Sequence, residues 1–414
     1  MNSGVNTAPV ENTLGGIGQL QINTFLSDLG RPAEGATVRV IDPDSGKTLE
    51  EVRTNAQGKA PELAFSTPPL EYSMSSDQPR PFNQYNLTIA FPNYQEAIIE
   101  NVQMYPQVTA VQNVSLKPQF PGILIPYPTL WGNFPPKIPE AAVKELPFPS
   151  NLVVLPEPVV PGLVVVHLGV PNDASAGNVT VGFTDYIKNV ASSEIYSTWP
   201  KETLKANILA IISFTLNRVY TEWYRGKGYD FTVTNSTAFD QAFTYGRTIF
   251  QEISDVVDEI FTTYITKPDI AQPLFTQYCD GARVSCDGWL SQWGSKNLGD
   301  QGYPALQILK SFYGYEIILK EAKKVEGIPI SFPGTALEVG STGSSVQTIQ
   351  RQLNTISNNY PLIPKVAEDG VYGESTANAV SVFQQTFDLP VTGRVNFPTW
   401  YRISDVFTAV SKLS

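Results

Sequence analysis

The sequence predicts a multidomain α+β protein: a β-sandwich at the N-terminus, a mainly helical central domain and a three-helix bundle at the C-terminus. Three observations carry the prediction. Short β-rich runs, several of them alternating, fill residues 16–117. Twelve of the chain's 33 prolines fall between Pro118 and Pro161, where neither a long helix nor a central strand can form. Apolar residues recur at helical spacing from Phe183 onward. The domains are placed at 1–117, 118–162 (a connector), 163–335 and 336–414, in keeping with roughly 100–200 residues per domain.

In the first domain GQLQINTFL, ATVRVIDP, YNLTIAFP and TAVQNVSLKP read as strands. Asp42-Pro43-Asp44-Ser45-Gly46 and Asn55-Ala56-Gln57-Gly58 read as turns between them. In the central domain Phe183, Ile187 and Val190 mark a first helix. A second opens at Pro200, a favoured first-turn position, and a third is expected over about Phe239–Ile265. His167, in VVVHLG, reads as a strand residue. In the last domain Val346, Ile349 and Leu353 form one helical stripe and Ala377, Val380, Phe383 and Phe387 another. A third short helix follows Pro398.

Composition excludes several functions. Lys plus Arg is 28 and Asp plus Glu 39, a net charge of −11, which disfavours nucleic acid and anionic membrane surfaces. The N-terminal MNSGVNTAPVENTLGGIG has neither basic n-region nor apolar h-region, so no signal peptide and no membrane insertion are expected, and synthesis is expected in a cytoplasm. One histidine and two cysteines cannot build a zinc hydrolase with two or three histidine ligands. Neither GxSxG nor GxxxxGK[ST] is present. What remains is chemistry by carboxylates, by tyrosine, or none, and no metal or cofactor is expected.

The segment LEVGSTGSSVQTIQRQLN…EDGVYGESTANAVSVFQQTFDLPVTGRVNFPTW resembles the three-helix peptidoglycan-binding domain of many wall hydrolases. Thr392 and Asn396 depart from the family's usual Asp and Gly. The first domain's run of strands is loosely similar to transthyretin-like or carboxypeptidase-regulatory sandwiches. The segment DYIKNVASSEIYSTWPKETLKANILAIISFTLNRVY resembles the SpoIID/LytB domain, with further matches from Tyr229 to Gly246 and over 273–314. The order of domains is similar to that of clostridial spore cortex-lytic enzymes, lytic transglycosylases acting on spore cortex peptidoglycan.

That resemblance implies that Glu194 is the catalytic acid. The residues agree: Phe183, Ile187, Val190 and Glu194 are spaced 4, 3 and 4, so the carboxylate ends an apolar stripe. At a helix C-terminus the dipole disfavours negative charge, which suits a group that must carry a proton. Tyr196 and Trp199 are expected to form a sugar-stacking wall. Asp230, Gln241, Tyr245, Gln292, Trp293 and Ser295 match family positions near the groove and are the expected substrate contacts. Where the family helix carries an Arg this chain has Ile212, and Arg218 or Arg247 is the candidate replacement. Some relatives hold zinc with two cysteines and a histidine. Here Cys279 and Cys286 have no histidine near them in sequence, so a disulfide or free thiols are expected.

The resemblance further implies a proenzyme, made in the mother-cell cytoplasm and deposited at the cortex and coat. Its activator would be a subtilisin-like germination protease cutting near 148–156, with the β-domain leaving as pro-segment. A non-catalytic wall-binding protein, a glycoside hydrolase and an amidase are the competing readings.

Overall fold

The computed structural model describes residues 15–27, 31–117, 122–138, 155, 157–328, 332–387 and 389–411. Apart from Leu155, the expected cut region 148–156 lies outside them.

Residues 16–117 fold as two facing sheets. In one, Thr48–Arg53, Thr37–Ile41, Asn83–Ala90, Ala97–Met104 and Ile123–Leu124 lie side by side. In the other, Gly16–Leu26 is flanked by Leu63–Thr67 and, in parallel, by Thr109–Leu116. The alternation expected of a half-buried strand is present: Leu20, Ile22 and Leu26 from one sheet and Tyr85, Leu87 and Ile89 from the other point inward. Gly58 closes the second expected turn at φ +72°, and a Cβ there would come within 2.3 Å of the Thr24 carbonyl.

The second sheet does not end within its own domain. Ile249–Phe250 of the central domain pairs antiparallel with Val111 and Ala110 and becomes its edge strand. One hydrophobic core runs through both domains: Tyr105 lies edge-on to Phe250 at 5.2 Å and 5.6 Å from Tyr196. The Trp199 indole donates to the Ser73 carbonyl at 2.9 Å.

Five helices are set among short strands and loops in the central domain: α1 (Phe183–Glu194), α2 (Lys201–Tyr220), α3 (Gln251–Ile260), α4 (Gln292–Asp300) and α5 (Ala305–Tyr313). α2 is buried on nearly every face and packs against the other four. Leu163–His167 is a strand, as expected, paired with Asn178–Gly182 and Val233–Thr234. The third helix is shorter than its pattern implied. Residues 239–250 leave the helix because Gly246 turns the chain at φ +79° and Ile249–Phe250 joins the neighbouring sheet. Beyond α3, Thr263–Thr266 is a strand.

The C-terminal bundle consists of α6 (Ser344–Ser357), α7 (Glu374–Thr386) and α8 (Phe397–Ser411) around Val346, Ile349, Leu353, Val380, Phe383 and Trp400. Two buried glutamines tie its turns. Gln350 accepts from Gly370 N at 2.8 Å, and Gln384 accepts from Thr392 N at 2.8 Å and Gly393 N at 3.0 Å. The two departures from the family pattern keep local bonds: Thr392 Oγ1 accepts from Arg394 N, and Asn396 Oδ1 accepts from Thr399 N in the first turn of α8. No helix among the described residues is long and apolar enough to cross a membrane.

Candidate active site

α1 sets the position of the acid. Phe183, Ile187 and Val190 are buried on its apolar face, and Glu194 is its last residue, 4% exposed. Ile195 adopts extended backbone and stops the helix, and Pro200 precedes α2. The carboxylate lies on the wall of a groove of about 380 Å³, lined also by Tyr278, Asp280, Arg283 and Gln292.

Neutral donors reach both carboxylate oxygens. Oε1 accepts from Ala242 N at 2.8 Å and from the Tyr278 hydroxyl at 3.3 Å. Burial pushes the Tyr278 phenol well above its ordinary pKa, and the Glu194 charge adds to this, so the phenol keeps its proton as a donor. Oε2 accepts from the Thr129 hydroxyl at 2.9 Å, which also lies 3.1 Å from the Glu194 carbonyl. Gln292 Nε2 donates to that carbonyl at 3.2 Å. No cation is hydrogen-bonded or ion-paired to this carboxylate among the described residues.

Thr129 belongs to the proline-rich connector, which is more than a spacer. Thr129 and residues 132–137 form one side of the groove. The strap is pinned along its length. Thr129 N donates to the Ser193 carbonyl at 2.9 Å and Ile138 N to the Ala238 carbonyl at 2.7 Å. Lys137 is inserted over the Tyr278 ring, 4.9 Å from its centroid, and its ammonium donates to the Asp240 carbonyl. Burial lowers the Lys137 pKa, although Glu194 and Asp240 pull it the other way. With the Thr129 hydroxyl on Oε2, a sugar oxygen cannot occupy that place.

Part of the groove wall is a small ring. Cys279 and Cys286 form a disulfide, so neither sulfur is available as a thiolate metal ligand, and the zinc set of some relatives does not fit here. Among the described residues no group of three or more His, Cys, Asp or Glu could hold a metal ion. Inside the ring Asp280 Oδ1 accepts from Ala282 N, Arg283 N and Val284 N at 3.1–3.2 Å, and Oδ2 accepts from Arg283 Nε at 2.7 Å. Burial raises the Asp280 pKa, but the Arg283 bond and the three backbone N–H groups prevail and hold it below the usual carboxylate range.

The remaining expected site residues separate into groups. Gln292 lines the groove with Glu194. Gln241 stands one step behind the acid: fully buried, it donates to the Tyr278 hydroxyl at 3.2 Å and accepts from Tyr186 and Thr215. Tyr196 and Trp199 do not form a stacking wall. Their rings are 2% and 3% exposed, packed with Trp293 in an aromatic cluster that Ser73 and Tyr105 of the first domain complete. Ser295 is buried in α4, bonded to Asn207 and the Gln292 carbonyl. Asp230 is exposed beside Asn178, and Tyr245 opens onto a different cleft of about 790 Å³ between the first and central domains.

Neither candidate replacement arginine reaches the acid's groove. Arg218 is buried against Asp240 at 2.9 Å, with its guanidinium over the rings of Trp223 and Phe275. Arg247 lies behind α1 with Nη1 on Ser193 Oγ, and burial lowers its pKa to about 10. Ile212 is core. Sequence reasoning missed Thr129, Tyr278 and Arg283. Only Arg283 left a signal, as the one cation between two close cysteines.

Residues 175–262 match the family model of the stage II sporulation protein SpoIID, and residues 342–403 match that of a peptidoglycan binding domain. The chain thus carries a SpoIID-type module followed by a peptidoglycan-binding module, an association with peptidoglycan in general. The first match includes α1, α2, the Gln241–Ala242 loop and α3, and stops short of Tyr278 and the disulfide ring. No curated protein matches the chain. Among solved structures, the SleB N-terminal domain is 29% identical, covering 17% of this chain and 92% of its own at a TM-score of 0.15. The 5-hydroxyisourate hydrolase of Klebsiella pneumoniae is 22% identical, covering 24% and 89% at 0.16. Transthyretin from Sparus aurata is 15% identical, covering 24% and 91% at 0.15.

Proposed function

We propose that this chain is the latent form of a spore cortex-lytic enzyme of the SleC type, a lytic transglycosylase that cuts peptidoglycan between N-acetylmuramic acid and N-acetylglucosamine during germination. The observation that carries the reading is Glu194: a buried carboxyl at the end of α1, opening onto a groove, hydrogen-bonded by neutral donors alone, inside the SpoIID-matching segment.

In the proposed reaction the protonated Glu194 gives its proton to the glycosidic oxygen as the bond from C1 of the muramoyl residue breaks. The 6-hydroxyl of the same sugar closes on C1, and its proton passes to the Glu194 carboxylate, which regenerates the acid. The product carries a 1,6-anhydro end. One carboxyl serves as acid and then base, because the nucleophile comes from the sugar itself. Ala242 N–H and the Tyr278 hydroxyl hold Oε1 and leave Oε2 for the transferred proton once Thr129 withdraws. The bundle at 342–403 would keep the enzyme on its insoluble substrate.

The strap supports the latent state, and a germination protease cutting in 148–156 would free its far end to leave the groove while the β-domain stays docked through the shared core. The test is muropeptide mass analysis of cortex treated with the full chain, intact and after a protease site inserted in 141–150 is cut. Anhydro-muramic ends from the cut chain, lost in Glu194→Gln, are expected. Reducing ends would mean hydrolysis, cleavage at the stem peptide an amidase, and retained binding without release a wall-binding protein; any of these overturns the reading.

A further inference from the structure

We propose that Arg283 is the substrate-binding cation of the groove, and that it grips the acetamido carbonyls of the glycan strand. The inference rests on reading the Glu194 groove as a glycan site. It follows from what the strap does there. Arg283 Nη2 donates to the Thr129 carbonyl at 2.8 Å, and Nη1 donates to the Gly132 carbonyl at 2.8 Å and the Trp131 carbonyl at 3.3 Å. All three acceptors are neutral amide oxygens. The planar fork of a guanidinium is suited to such paired acceptors, as a lysine would not be.

Thr129 links the two halves of the site. Its hydroxyl sits on Glu194 Oε2 while its carbonyl sits on Arg283. A glycan entering the groove presents the same two groups in the same order. The glycosidic oxygen must reach Oε2, and the carbonyl of the 2-acetamido group, a few bonds away on the adjoining carbon, then falls toward Arg283. The strap therefore fills the place of a sugar with a backbone that offers matching oxygens.

Two features select an amide over a carboxylate. Asp280, its side chain 9% exposed, holds Arg283 Nε at 2.7 Å, so the pair carries no net charge and offers N–H donors without a surplus attraction for anions. The fork is also preset. The disulfide closes the ring, and three backbone N–H groups on Asp280 Oδ1 fix the turn that presents Arg283. Arg283 thereby supplies the groove cation that the helix position Ile212 does not.

The test measures binding apart from catalysis. Calorimetry compares the N-acetylglucosamine tetramer with cellotetraose, which has the same linkage and a hydroxyl in place of each acetamido group. The full chain is used intact and with residues 129–134 replaced by glycine and serine to loosen the strap. The loosened chain is expected to prefer the acetylated tetramer by about tenfold or more, the scale of one charge-assisted hydrogen bond. Arg283→Gln in that background should erase the preference and Arg283→Lys should reduce it. The intact chain, its fork already filled, supplies the blank and reports any binding by the C-terminal bundle. If the loosened chain does not fold, the chain cut in 141–150 is used instead. A preference unchanged in Arg283→Gln, or absent from the opened wild type, overturns the assignment. Product analysis separates the two readings. An Arg283-dependent preference without anhydro ends sinks the transglycosylase and leaves the clamp, whereas anhydro ends with an Arg283-independent preference sink the clamp alone.

Discussion

Cutting the connector should not by itself release the β-domain. The two domains share a strand pairing, Ile249 with Val111 and Phe250 with Ala110, and one core in which Phe250 is 1% exposed and edge-on to Tyr105. Phe250→Ala removes a buried ring from that seam, a change that costs about 3–5 kcal/mol including the cavity. At 1.4 kcal/mol per factor of ten, association of the cut halves should weaken by about two to three and a half orders of magnitude. Trp199→Phe, which strands the Ser73 carbonyl, should add about 1–3 kcal/mol, although the two sites are close enough to couple. The assay is size-exclusion chromatography of the cut chain over a urea series, with melting of the uncut chain as the control for folding. The wild-type halves should co-elute in buffer, and Phe250→Ala should separate them at clearly lower urea. Halves that part in buffer without any substitution, or a Phe250→Ala pair that stays together as long as wild type, would refute a shared core as the retaining force.

Three further outcomes follow from the groove. Thr129→Val removes the hydrogen bond to Glu194 Oε2, worth about 0.5–1.5 kcal/mol, so the uncut chain should clear a cortex suspension roughly two to ten times faster; unchanged turbidity traces would remove Thr129 from the latch. Cys279→Ser, or reduction, opens a ring of sequence separation 7, and chain entropy puts the lost constraint at about 2.5 kcal/mol, read as a fall in melting temperature and a higher KM for the opened enzyme with kcat little changed. Asp280 has a depressed pKa in the folded protein, so its contribution is present above the unfolded value of about 3.9 and is lost as pH falls through the lower folded value. Saccharide affinity of the opened chain should accordingly hold from pH 7 to 5 and drop only in strong acid; a loss centred near pH 6 would assign the dependence to another group.

What could be read from the sequence was what neighbours along the chain determine. The spacing of Phe183, Ile187, Val190 and Glu194 is a local property, and the structure places that carboxyl at the end of α1 with its stripe buried. Tyr196 and Trp199 carry no such information: an aromatic after a helix can face a groove or a core. Here the decision belongs to Ser73 and Tyr105, about a hundred residues earlier. Residues 239–250 look helical until Ile249–Phe250 finds a partner strand in another domain. The connector's prolines correctly exclude regular structure, yet the extended backbone they impose also lets Thr129 and Lys137 lie along the groove. Thr129 and Arg283 meet across a sequence separation of 154, beyond the reach of any periodicity.

The number of working carboxyls decides between lytic and hydrolytic cleavage. Among the described residues two acidic ones line the groove, Glu194 and Asp280. A hydrolase needs the second as nucleophile or as base for a water. Asp280 is poorly placed for either role, because three backbone N–H groups take Oδ1 and Arg283 takes Oδ2, leaving little of the roughly four lone-pair sites of a carboxylate free. Asp280→Asn keeps the acceptor for the backbone and disturbs only the arginine. In the transglycosylase it should raise KM through Arg283 while kcat stays within about tenfold and the ends remain anhydro. A second catalytic carboxylate would instead lose about 10²–10⁴ in kcat, the usual share of a general base. Initial rates on solubilised cortex strands, with the ends identified by mass, distinguish the two. A collapse of kcat in Asp280→Asn matching that in Glu194→Gln would mean that the pair works as a hydrolase does.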